Sequence, residues 1–471
     1  MWSNRTDSVR ESGFAPVFQM LFRCFGFIFF LFLLAVTPAA GSDRAGAGGE
    51  GRSGGGQTGK TTFWSDFQPE WGGHVKLQAQ ASWPGRDTYW DTVGLGPYYD
   101  VTTDFRLKNK LFFGRWGSLE THYEAVYSVG DTRRKQSELA GRFPALAEVM
   151  AAGAGRPDDD HRFFDLTRVM DETGDRLLYH RLDRLVLTVQ PSWGTIRLGR
   201  QAATWGNGLL FNPMDLFNPF SPADFVRDYK VGDDMVSVQF PVATTGDAQF
   251  LYVPRRDRTT RDVEWNQSSC AGKVHFASGD TEFDLMAGHH YQDSVVGFGS
   301  TGYWGNAAWR LDATWTFLEE DRGKDGYLSL VANMDYSWVW AEKNYYGFIE
   351  FFYNGLGTNR YQESLTDLDL AERLSRGELY SLGRYYLSGH VKVELHPLFS
   401  IYLTLINNLS DPSGTFQPRA VWDVSQNVQV TFGANVHYGS PGTEYGGWEI
   451  PGTRLLSGPS NAAYVWVSYY F

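Results

Sequence analysis

Apolar and polar residues alternate with a period of two along most of the chain. Val75, Leu77, Ala79 and Ala81 share one face, and His74, Lys76, Gln78 and Gln80 share the other. Phe105, Leu107, Leu111 and Phe113 oppose Arg106, Lys108 and Lys110, and Leu119, Tyr123, Ala125 and Tyr127 oppose Glu120, His122 and Glu124. The same rhythm returns at Trp309 to Phe317, Leu387 to Leu395, Val428 to Val436 and, at the end of the chain, Ala463, Val465, Val467, Tyr469 and Phe471. A period of two belongs to a β-strand with two unlike faces. A soluble sandwich would have to bury the charged face or expose the aromatic one. A barrel in a membrane does neither, because its apolar face meets lipid, its charged face meets water, and closure leaves no unpaired edge. The expected fold is all-β, a transmembrane antiparallel β-barrel spanning residues 72–471.

Loop lengths set the strand count. Short turns are expected at Gly114–Ser118, Pro191–Gly194, Ala243–Gly246, Ser278–Thr281, His396–Pro397 and Val424–Asn427. Long loops are expected at 84–99, 130–177, 204–232, 354–384 and 440–460. With Val295–Tyr303 read as a strand, the pattern gives about 18 strands, with 16 the next best count, and puts both ends of the barrel on the turn side. Short helices are expected inside two of the loops, within 135–152 and 363–376.

Composition agrees with this. Aromatics make up 16% of 471 residues and Gly contributes 52, yet mean hydropathy is only -0.35. Strands that are apolar on one face and polar on the other keep the average low. The single long apolar run, Phe25 to Val36, follows Arg23 and precedes Thr37-Pro38-Ala39-Ala40-Gly41. It reads as a secretory signal peptide over 1–41, cut near Ala40, with Met20 an alternative start. Residues 42–71 begin with a Gly-rich polar stretch and read as a flexible linker. Cys24 lies in the leader, which leaves Cys270 alone in the mature chain, with no intramolecular disulfide. A net charge of -12 argues against a nucleic-acid partner.

The stretch Gly194–Tyr229 carries the most information. A strand runs into Gly199-Arg200-Gln201, then Trp205-Gly206, then a loop stiffened by Pro213, Pro219 and Pro222. Phe211, Leu216, Phe217 and Phe220 need cover, and the place for such a loop is the barrel lumen. Arg200 has two readings: a fork that contacts solute, or an anchor that pins the loop through Asp215 or Asp224. The G-R-Q-x-x-x-W-G pattern with Asn212-Pro213-x-Asp215 resembles a group of large outer-membrane channel barrels of the porin superfamily, related in pattern to the alginate-export type. That resemblance implies a channel. The final strand also resembles the C-terminal signature of Gram-negative outer-membrane barrels, which implies that Tyr469 and Phe471 are read by the barrel-assembly machinery.

The lumen positions carry both signs. Lys76, Arg106, Lys108 and Lys110 form a basic ladder beside Glu120 and Glu124, and Arg184, Arg197, Gln201, Lys273, Asp284, Arg310, Asp312, Asp335, Lys392 and Glu394 follow. Such rows orient dipolar solutes, or else they pair across strands to stiffen a wide barrel. No G-x-S-x-G elbow and no H-E-x-x-H helix is found, and the adjacent His289 and His290 point to opposite faces of a strand. The sequence reads as a channel that passes a polar solute, with anions favoured, and implies no cofactor. Its expected partners are outer-membrane lipid and lipopolysaccharide, the barrel-assembly machinery and a small polar or anionic solute. The rival reading is a non-conducting structural or assembly barrel with extracellular docking loops.

Overall fold

Residues 67–94, 96–142, 157–219, 229–318 and 323–471 are described by the structure, a computed structural model. The signal peptide, most of the linker, Asp224 and residues 143–152 of the first expected helix lie outside these residues. The first half of the chain forms β1 (Phe67–Trp83), β2 (Tyr98–Phe113), β3 (Gly117–Gly130), β4 (Thr167–Glu172), β5 (Arg176–Val189), β6 (Thr195–Gln201), β7 (Asp233–Val242), β8 (Gly246–Val253), β9 (Ser269–Ser278) and β10 (Thr281–His290). The second half forms β11 (Asp293–Trp304), β12 (Ala307–Phe317), β13 (Gly326–Trp340), β14 (Lys343–Asn354), β15 (Tyr385–His396), β16 (Phe399–Asn408), β17 (Ser413–Ser425) and β18 (Val428–Tyr438). The short pair β19 (Trp448–Glu449) and β20 (Leu456–Ser457) precedes the last strand, β21 (Asn461–Tyr470). Two α-helices, α1 (Asp131–Arg142) and α2 (Leu368–Arg376), sit in long loops. Strand structure begins at Phe67, so residues 67–71 belong to β1 and not to a linker.

Eighteen strands close into one antiparallel ring. β21 pairs with β18 on one side and with β1 on the other, where His74 stands opposite Tyr470 and Trp83 opposite Asn461. Phe471 completes the seam by donating its N–H to the Gly73 carbonyl at 3.1 Å and accepting from Gly73 N–H at 2.9 Å. Val295–Tyr303 lies within β11, as the strand count requires.

At one end every connection is short. Six turns lie where the pattern puts them, and two more join β11 to β12 and β13 to β14. In the latter turn Ala341 and Glu342 both have positive φ, 48° and 59°. The other end carries the long loops, including 254–268, which the sequence pattern did not single out. The loop expected at 130–177 contains an additional strand, β4, which pairs with the upper half of β5. The lower half of β5 pairs with β6. β6 is only seven residues long, and β4 occupies the wall position above the point where β6 ends.

The two faces are chemically distinct. Val75, Leu77, Leu198, Leu285, Phe298, Leu403, Phe432, Val465 and Val467 are exposed on the outside. Exposed aromatics mark both rims: Trp116, Trp193, Tyr303, Trp304 and Trp340 at the turn end, and Trp83, Tyr99, Tyr127 and Tyr438 at the loop end. His289 stacks on Trp265 with centroids 4.5 Å apart, while its neighbour His290 is buried against Ser269 Oγ at 3.0 Å, so the pair does divide between the two faces.

Candidate functional site

The chain leaves the wall after Gln201 and crosses the lumen before it returns as β7. Three features of the Gly199–Gly206 stretch make that departure possible. Gly199 has φ +114°, and a Cβ there would lie 2.1 Å from the Leu185 carbonyl oxygen, so no other residue fits. Arg200 points outward and Gln201 inward. Arg200 donates through Nε and Nη2 to both oxygens of Asp234, at 2.9 and 3.0 Å, through Nη1 to Asp159 at 2.9 Å, and to the Phe164 carbonyl at 2.7 Å. It thus clamps the 157–166 segment, which leads into β4, to the start of β7. Arg162 and Arg200 more than offset the burial of Asp159 and hold its carboxyl below the usual range. Neither expected pairing of Arg200 with the loop is found: its partners are Asp234, Asp159 and the Phe164 carbonyl, and Asp224 lies outside the described residues. Asp215 pairs instead with Lys230. Gln201 is fully buried and donates to the carbonyls of Arg197 and Met235.

Beyond the wall the loop is fastened to the opposite side of the lumen. Trp205 enters an apolar cluster with Met214, Phe217, Met235, Leu251, Met286 and Val295, and its indole N–H donates to Gln249 at 2.9 Å. Gly206 turns sharply (φ +86°). Asn207 then donates through its backbone N–H and its amide to the two oxygens of Asp312. The next attachment is Glu350, an inward carboxylate of β14 that is 1% exposed. It accepts the backbone N–H groups of Leu209, Leu210 and Phe211 at 2.6, 3.0 and 2.8 Å. Phe211 lies flat on Phe352, with centroids 4.5 Å apart and planes 6° apart, and against Tyr386. Backbone donors inside a barrel have no ladder to join, and these two carboxylates supply the missing acceptors.

The basic wall is built differently. Arg106, only 2% exposed, pairs with Asp183 and lies 3.4 Å from Glu124. Arg181 pairs with Glu124, and Arg184 with Asp183 at 2.7 Å. A register shift opposite His122 and Tyr123 puts Asp183 and Arg184 both on the lumen side. Tyr229, on the return limb of the loop, caps this cluster. Its ring lies 4.5 Å from the Arg106 guanidinium and 4.2 Å from Lys108 Nζ, and Lys108 donates to its hydroxyl. The ladder therefore does not present bare charges. Lys76 sits over the Trp466 ring, Lys110 lies 5.0 Å from the Phe112 ring, and Glu120 pairs with His122 at 3.1 Å. Arg197, half-buried, stands across from Thr188 and Ser237, and Arg310 donates to Asp335 at 2.8 Å. Around the ring, Lys76, Arg106, Lys108, Lys110, Arg181, Arg184 and Arg197 share the β1 to β6 sector, while Asp284, Asp312, Asp335 and Glu350 share the β10 to β14 sector.

No family model and no curated protein sequence matches the chain. Among solved structures, OccAB1 of Acinetobacter baumannii matches with a TM-score of 0.50 at 7% identity, over 87% of this chain and 98% of that one. The two chains share one barrel fold. The BenF-like porin of Pseudomonas fluorescens Pf-5 matches with a TM-score of 0.47 at 10% identity, over 87% of this chain and 100% of that one. Identities this low concern architecture and not solute.

Within the barrel, the residues that organise the lumen are partly those the sequence singles out and partly others. Asp312 and Glu350 hold the loop from the wall, Tyr229 packs from the loop onto the basic side, and Asp159 and Asp234 hold Arg200. Glu350 had a signal: it is the one carboxylate in the inward row Tyr346, Phe348, Glu350, Phe352. Asp183 had none, because a bulge breaks the alternation that would have assigned it. Tyr469 is exposed on the outer face and Phe471 lies over Gly73 at the seam, where a Cβ on Gly73 would strike its ring.

Proposed function

We propose that this protein is an outer-membrane channel through which a polar solute, with anions favoured, diffuses past a lumen narrowed by the 202–232 loop. The observation that carries this reading is the closed eighteen-strand ring whose inner face is charged and whose loop crosses it. The turn end then faces the periplasm and the loop end the exterior, after signal-peptide export and assembly through the C-terminal strand. The opposed basic and acidic sectors set up a transverse field that orients dipolar solutes. Lys108, Lys110 and Arg197 favour anions at the turn-end vestibule. Arg106 contributes less to that preference, because Asp183 and Glu124 match its charge. The role is that of a conduit without chemistry, and lipopolysaccharide surrounds the loop end.

Dense packing favours a second reading, a barrel whose lumen is closed. His74, Lys76, Arg106, Gln201 and Glu350 are each no more than 2% exposed. Planar-bilayer recording of the refolded mature protein separates the two. Ohmic steps with an anion-selective reversal potential in a salt gradient are expected, and silence from a folded, heat-modifiable barrel means a structural or docking role.

A further inference from the structure

Behind the inserted loop lies a cavity of about 360 Å³, within the usual range for small-molecule sites. Its wall side is made by Thr314, Thr316, Ser329 and Phe352, its loop side by Gly208 to Pro213, Asp215, Leu216 and Lys230, and its loop-end roof by Glu378 to Ser381. The apolar part of the lining includes Leu210 and Tyr380.

The polar atoms in this cavity are unbalanced. Asp215 is 4% exposed, and Lys230 takes its Oδ2. Its Oδ1 has no hydrogen-bond partner among the described residues. Glu378 Oε1 also makes no hydrogen bond, although His290 Nε2 stands 3.4 Å and Arg376 Nη1 3.7 Å away. A buried charged oxygen left without a donor is costly; Glu378 is offset by His290, Arg373 and Arg376, and Asp215 is helped by Lys230 and the Trp205 backbone, so the open acceptor among the described residues is Asp215 Oδ1. Hydroxyls from Thr314, Thr316 and Ser329 add groups that can accept as well as donate.

We propose that this cavity binds a small organic ammonium ion, with one N–H directed at Asp215 Oδ1, others within reach of Glu378 and the wall hydroxyls, and the aliphatic body against Leu210, Phe352 and Tyr380. An ammonium suits the site because it carries several donors and no acceptor. A carboxylate of the same shape meets Asp215 and Glu378 and is repelled. The inference goes beyond the conduit reading, since it places a cation site behind the loop of a channel whose opposite wall is basic.

The test uses the full-length protein folded in detergent micelles, with folding checked by heat-modifiable migration. Isothermal titration calorimetry at pH 8 compares n-butylammonium chloride with n-butanol and sodium butyrate. Saturable binding of one butylammonium is expected, at least tenfold tighter than butanol, with no binding of butyrate. Asp215→Asn weakens it about tenfold or more, the scale of one charge-assisted hydrogen bond. Lys230→Gln strengthens it several-fold by freeing the second oxygen, and this gives a readout in the opposite direction should the first variant fold poorly. Butylammonium binding no tighter than butanol, or unchanged in Asp215→Asn, overturns the proposal. Binding is read directly, so silence in bilayers counts against the conduit reading and leaves this one standing.

Discussion

The inserted loop is held in opposite ways by the two sides of the lumen. On the β12 to β15 side, carboxylates from the wall accept backbone N–H groups of the loop, and an aromatic stack seals the contact. On the β1 to β5 side, Tyr229 packs on cations of the wall, Arg184 donates to the Lys230 carbonyl at 2.6 Å, and Asp183 accepts the Gly232 N–H at 3.2 Å, where the loop rejoins the wall. The first attachment is directional and buried, so it fixes the backbone. Cation–π contact tolerates sliding and contributes about 0.5 to 2 kcal/mol. The acidic side therefore anchors the loop at 207–211, and Tyr229 is the adjustable contact of the return limb. Glu350→Ala tests this most severely. Removing an acceptor of three charge-assisted hydrogen bonds should cost on the order of 4 kcal/mol of loop docking. Hydrogen exchange at Leu209, Leu210 and Phe211 should accelerate by about a thousandfold, whereas Tyr229→Phe should leave those amides nearly as protected as before. Equal effects from the two variants would erase the distinction between anchor and contact.

The basic wall can be probed from within. Asp183 sits among Arg106, Arg181 and Arg184. Asp183→Asn leaves three guanidinium groups with Glu124 alone, and should cost about 3 kcal/mol in urea unfolding. Arg106→Ala should cost less than half as much, since Arg181 and Arg184 still neutralise Asp183. If Arg106→Ala is the more damaging of the two, Arg106 and not Asp183 holds the cluster together. On the opposite wall, Phe211→Ala removes the stack on Phe352 and should cost the docked loop about 3 kcal/mol, read by the same exchange experiment.

The difference between the walls also explains what could be read from sequence. The ring, its parity and its lumen-facing rows were legible because period-two alternation is a property of each strand alone. Asp312 was found that way. The loop's destination was legible in part, since four apolar side chains among prolines demand cover and a lumen supplies it. The partners of Arg200 were not. They come from Asp159 and Phe164, which are distant in sequence and meet it only because β6 is short and the 157–166 segment leads into β4, which takes the wall position above it. Asp183 was hidden by a bulge, which shifts register without leaving a mark on composition. Tyr229 is one aromatic among 25 tyrosines, and only the return path of the loop gives it a role.

Asp215 lets pH act on the anchored side. Burial pushes its carboxyl up to about 7, with Lys230 pulling the other way. In an undocked loop it titrates near the ordinary aspartate value of 3.8. The docked loop therefore binds more protons than the undocked one between about pH 4 and 7. Docking is most favourable below that window and weakens as pH rises through it. Lys230, Glu378 and Tyr327 face the same cavity and remain in place. The expected loss is roughly 2 kcal/mol, visible as faster exchange of loop amides at pH 8 than at pH 5 after correction for intrinsic rates. Asp215→Asn should flatten that difference, and a pH dependence that survives the substitution assigns the titration to another group.

The smallest effect belongs to the turn end, far from both attachments. Ala341 and Glu342 join β13 to β14 with φ values of 48° and 59°, the left-handed pair that a two-residue hairpin needs to match strand twist. Gly or Asn usually fills such positions, because a Cβ is crowded there. Glu342→Gly should relieve that crowding and stabilise the hairpin by about 1 kcal/mol, read as a higher urea midpoint with an unchanged slope. β14 carries Glu350 eight residues further on, on the inner face, so a stiffer hairpin could in principle be felt by the loop. The ring argues otherwise. β13 and β14 stay in register from Trp340–Lys343 up to Ser329–Asn354, and a ladder that long holds Glu350 whatever the turn residues are. Loop exchange at Leu209 to Phe211 should therefore be the same in Glu342→Gly as in the parent. A change there would show that the anchor depends on the turn beneath it as well as on its own three hydrogen bonds.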